Sequence, residues 1–99
     1  MTIKVEDVLK ERGERYGSFE GQAEVSQDLK FIVNQSLRGR DKTLAFDQYE
    51  ALEMICHKIA RIINGDSDYA DNWVDIAGYA TLVADRLTKQ TNDANASEL

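Results

Sequence analysis

The chain has 99 residues, 42% hydrophobic and 30% charged, which suits one globular domain rather than two. A formal charge of −6 argues against non-specific nucleic-acid binding, which needs a basic face, and leaves open carboxylate metal sites or an acidic surface that covers a basic partner. The lone Cys56 excludes an intrachain disulfide and a cysteine-based zinc cluster, and no apolar run nears the ~20 residues of a membrane span, so a cytoplasmic protein with no membrane partner is expected.

The N-terminal stretch MTIKVEDVLK is amphipathic and carries acids, unlike a signal peptide. Proline is absent and apolar residues recur at intervals of three and four. The expected fold is therefore all-α: a small antiparallel bundle of about four helices, forming one domain over residues 1–89 with a polar, frayed tail at 90–99. Helix one is expected near 4–16, with Val5, Val8, Leu9, Arg12 and Tyr16 on one face and Gly17 in the left-handed terminal position. Helix two runs near 19–37 with Ser18 as its N-cap, carries the stripe Val25, Leu29, Ile32, Val33 and Leu37, and stops at Gly39.

A locally basic linker, RGRDKTLAF, leads to helix three at about 48–63, where Asp47 and Glu50 fit an acidic capping box. Its stripe is Tyr49, Leu52, Ile55, Cys56, Ile59, Ile62 and Ile63, closed by Asn64-Gly65. Helix four is expected at about 68–90, capped by Ser67 or Asp68, and it has two stripes. The first holds Tyr69, Trp73, Ile76, Ala77, Ala80, Val83, Ala84 and Leu87 and reads as a core face. The second holds Asp71, Asp75, Gly78, Tyr79, Leu82 and Arg86, with Asp71, Asp75 and Tyr79 stacked at i, i+4 spacing. Gly78 in mid-helix suggests close approach of a neighbour. A helix buried on two sides in so short a chain suggests a homo-oligomer.

Helix three offers matching chemistry. Glu50, Glu53 and His57 share a face, and Lys58 and Arg61 form an adjacent basic edge. Inward carboxylates on facing helices hold divalent metals in bundles, so Glu50, Glu53, Asp71 and Asp75 are candidate Mg2+ ligands. Lys58 and Arg61 would suit a phosphorylated ligand, and Tyr16 or Tyr79 could stack on a base. Each also has an ordinary role: Glu50 in a cap, His57 on a solvated face, Asp71 at a helix dipole, Asp75 in an ion pair with Lys58 or Arg61.

The segments ERYGSFEGQAE (14–24) and HKIARIINGDSDYADNWVDIAGYATLV (57–83) resemble a family of small, mostly phage-encoded helical proteins of unknown function, over residues 5–87. Glu50 and Glu53, with Asp75, are also similar to the metal-binding motifs of the all-α nucleotide pyrophosphohydrolases of the MazG and dimeric dUTPase type. That likeness implies an oligomer, magnesium and a nucleotide ligand. Tyr49 and Asn72 stand where those enzymes carry acids, which favours binding over hydrolysis. The rival expectation is an acidic interaction protein that inhibits a host defence or nucleic-acid enzyme by covering its basic surface.

Overall fold

The computed structural model describes residues 4–97. Its four helices are α1 (Val5–Tyr16), α2 (Phe19–Gly39), α3 (Phe46–Asn64) and α4 (Ala70–Ser97), and no strand occurs among the described residues. None of the described helices is long and apolar enough to cross a membrane. Residues 1–3 of the expected domain and 98–99 of the expected tail lie outside the described range.

Local chemistry sets the helix ends. Gly17 takes φ 75° after α1, and its N–H donates to the Gly13 carbonyl. Ser18 Oγ accepts from the Gly21 amide at 3.1 Å, the side-chain cap that satisfies one orphan donor of α2. The α3 cap differs from the expected Asp47–Glu50 pair. Ala45 occupies the cap position, and the Gln48 side chain accepts from its N–H at 2.9 Å, so α3 starts two residues early. Asp47 instead holds Arg86 of α4 through two short contacts, 2.7 and 2.9 Å, and this bond keeps the Asp47 carboxyl below its usual range. The segment expected to fray as a tail continues as helix to Ser97.

Helix α3 packs against α2 on one side and α4 on the other, while α4 has no packing contact with α1 or α2. The short α1 lies against α2 and α3. The result is one layer of three helices covered by α1 on a single face, only 25 Å in its thinnest dimension. Helix four is therefore an edge helix, not the centre of a tight bundle. A Cβ on Gly78 would meet nothing within 4 Å, so no neighbour within the chain approaches there.

The core is small. Among the described residues the buried apolar side chains are Ala51, Cys56 and Ala60, joined by the buried polar residues Gln22, Ser26, Lys58 and Asn72. Burial pushes the Cys56 thiol up, which keeps it protonated and unreactive.

Candidate functional site

The chain folds back on itself where the α1–α2 elbow meets the end of α3. Asn64 Nδ2 donates to the Tyr16 carbonyl at 2.8 Å and to the Ser18 carbonyl at 2.9 Å. Two residues on, beyond Gly65, the Asp66 amide donates to the Arg15 carbonyl at 2.7 Å. Glycine makes this contact possible. A Cβ at Gly65 would collide with the Arg15 carbonyl and the Tyr16 Cα, and one at Gly17 with the Asn64 backbone.

The elbow carries a stack of rings and guanidinium groups. Arg61 of α3 lies 4.1 Å from the Tyr16 ring centroid, and Arg15 lies 4.4 Å from that of Tyr69. The two tyrosine rings sit 6.2 Å apart and tilted. This cation–π contact holds the Arg61 guanidinium over the Tyr16 ring. Its buried Nε has no hydrogen-bond partner.

Beside this stack opens a cleft of about 570 Å³ lined by Leu9, Arg12, Gly13, Tyr16, Gly17, Ser18, Phe19, Gln22, His57 and Arg61. None of these residues is acidic, although acids outnumber bases 18 to 12 in the whole chain. The first turn of α2 borders the cleft, and the amides at a helix start add positive potential. At the back, Gln22 Nε2 lies 3.3 Å from His57 Nε2, and its N–H donates there when the imidazole proton is on Nδ1. Burial holds His57 below its usual pKa, reinforced by Arg61, Lys30 and Lys58, so the ring is neutral at pH 7.

This shift carries a stability prediction. The unfolded chain takes up the histidine proton near the usual value of about 6.5, before the folded chain does. Folding stability contributed by neutral His57 is thus complete above that pH and is lost as pH falls towards the depressed folded value. Urea midpoints should drop as pH falls below about 6.5. His57→Gln should flatten that part of the profile, and an unchanged slope would refute the assignment.

The other expected site residues are distributed as follows. Tyr16 and Arg61 share the cleft; Lys58 and Tyr79 are not among its lining residues. Lys58 is buried and its Nζ sits 3.0 Å from Asp75 Oδ2, so both charges are already matched. Asp71 Oδ2 accepts from the Tyr69 hydroxyl at 2.8 Å, and this bond raises the Tyr69 pKa. Glu50 and Tyr79 line a different, shallow groove between α3 and α4 together with Asp47 and Leu82. Among the described residues no three His, Cys, Asp or Glu side chains converge to hold a metal ion. Glu50, Glu53, Asp71 and Asp75 are thus not gathered into one such cluster. The reason is local: Lys58 takes Asp75, and Tyr69 draws Asp71 towards the start of α4.

Sequence reasoning missed Arg12, Gln22, Asn64 and Gly65 as site residues. Arg12 fell on an apolar helix face and read as packing. The pairing of two glycine-bearing junctions, Tyr16-Gly17 and Asn64-Gly65, was the signal that could have joined them.

In comparisons with known proteins, the family described as a domain of unknown function, DUF6378, matches residues 4–87. No curated protein and no solved structure matches the chain.

Proposed function

This chain belongs to the DUF6378 family, and from its cleft we propose that it binds a phosphorylated, nucleotide-like small molecule at the elbow of α1 and α2. The observation that carries the reading is the acid-free cleft with Arg12 and Arg61 in a chain of net charge −6. Guanidinium groups make short, paired bonds to phosphate oxygens. Arg61 lines the cleft with its guanidinium held over the Tyr16 ring, so a phosphate entering there would meet a positioned cation. The α2 start supplies further amide donors. Leu9, Tyr16 and Phe19 give the cleft the apolar and aromatic walls that a flat base requires.

The reading is of binding and not of turnover. No carboxylate lines the cleft to position a water or a metal. Magnesium would enter only as the counter-ion of a polyphosphate. The rival reading, an acidic protein that covers a basic host surface, draws support from the exposed Asp66, Asp68 and Asp71 beside the elbow.

Titration calorimetry with nucleoside mono-, di- and triphosphates tests the proposal. Arg12 is exposed, so Arg12→Ala should leave the fold intact. Loss of one charge-assisted phosphate contact, about 1.5–3 kcal/mol, should weaken affinity by roughly ten- to hundredfold. Phosphate-free nucleosides should bind far more weakly than nucleotides. Equal affinity for the two, or no binding of any nucleotide, would refute the reading.

A further inference from the structure

We propose that a second copy of this chain covers the uncharged face of the α3–α4 layer, on the side of α3 opposite the cleft. At 100° per residue, Leu52, Ile59 and Ile63 share one face of α3, and Arg61 lies roughly 160–180° away from them. On α4 the same counting groups Trp73, Ala80, Ala84 and Leu87. The two faces meet in a groove of about 310 Å³ that includes Leu52 and Ile55 of α3 with Ala80 and Val83 of α4, and no charged residue lines it.

The α3 stripe is the strongest apolar pattern of the sequence, yet within one chain both stripes are partly open. Ile63 is 63% exposed, Trp73 56% and Leu87 41%. Packed helical layers are stable when both sides of the apolar seam are covered, and here α1 meets α3 at Arg61, on the other face.

The occupant follows from area and charge. The chain exposes 7606 Å², against about 5,700 Å² for a compact monomer of its mass, an excess of roughly 1,900 Å². Its radius of gyration is 17.5 Å, against about 13 Å for a compact domain of this length. Taken over two chains, an excess of that size falls within the roughly 2,000–5,000 Å² in total that obligate homodimers bury. Two copies of an acidic chain repel wherever their charged surfaces meet. The uncharged α3–α4 groove is where they can approach without that cost, and a two-fold axis there pairs each stripe with its equivalent. This proposal is independent of the cleft reading, because the two surfaces lie on opposite sides of α3.

Sedimentation velocity on the full chain should give about twice 11.2 kDa. Ala80 and Ala84 are exposed in the single chain, so Ala80→Arg and Ala84→Arg should produce a monomer of unchanged helicity. Leu82→Arg, on the other side of α4, should leave the dimer whole. Trp73 is the sole tryptophan, so its shielding from acrylamide should fall on dilution in step with dissociation. If the arginine variants fail to fold, this unmutated readout decides the matter. A monomer at roughly 1 mM would overturn the proposal. So would a dimer that dissociates with no change at Trp73, or one broken by Leu82→Arg and untouched by Ala80→Arg.

Discussion

Gly65→Ala is expected to destabilise the protein by about 2–4 kcal/mol, one of the two largest effects of any single substitution considered. The added methyl would meet the Arg15 carbonyl and the Tyr16 Cα, which are backbone atoms and cannot rotate away. Relief requires the elbow to move off α3. That movement strains the Asn64 bonds to Tyr16 and Ser18 and the Asp66 bond to Arg15. Each such bond contributes on the order of 1 kcal/mol net. The same movement pulls Tyr16 from under Arg61, so the proposed nucleotide binding should weaken together with stability. Gly78→Ala is the control. Its site is mid-helix and open, so alanine should stabilise by about 0.5–1 kcal/mol. Urea midpoints at constant m-value measure both. A neutral Gly65→Ala would show that the elbow does not rest on this contact.

Asp75→Ala should cost about 1–2 kcal/mol, more than Lys58→Met. The asymmetry comes from burial: the Lys58 side chain is 10% exposed and that of Asp75 45%. Removing the aspartate strands an ammonium group away from water. Removing the lysine leaves a carboxylate that water still reaches. The figure sits below the usual 3–5 kcal/mol for a broken buried pair because solvent screens the exposed half. Lys58→Met with Asp75→Ala should recover most of the loss, since neither charge is then left alone. A double-mutant cycle measures this coupling directly. If Lys58→Met proved the more damaging change, the pair would not be the buried-cation anchor described.

The four helices were legible because their signals are local. Ser18 caps α2 and Gly17 takes its positive φ for reasons contained within a few residues. The start of α3 was displaced because Gln48, and not Glu50, reaches back to the cap. Stripes were legible too, but a stripe gives a face without its partner. The second stripe of α4 read as a buried interface around Asp75 and Tyr79, and its i, i+4 stacking promised a metal site. Spacing could not tell that Lys58 and Tyr69 would each take one of those carboxylates first. Nor could it show that the first stripe, read as core, would stay open within the chain. The elbow clamp was hidden for a related reason. Asn64 reaches Tyr16 across 48 residues of sequence, and a helix-ending Asn-Gly gives no hint of what its side chain will hold. Arg12 shows the same limit, since its role depends on which surface α1 helps to enclose.

The central claim is that the elbow cleft is an anion site for nucleotides. The most direct measurement is a titration of isotopically labelled protein with a nucleoside triphosphate, followed by NMR at assigned side chains. The account predicts saturable shifts at the Arg61 Nε and Arg12 guanidinium signals, the Tyr16 ring, the Gln22 amide and His57, with Lys58, Glu50 and Tyr79 unmoved. Shifts confined to those last three residues, or none at millimolar nucleotide, would contradict it.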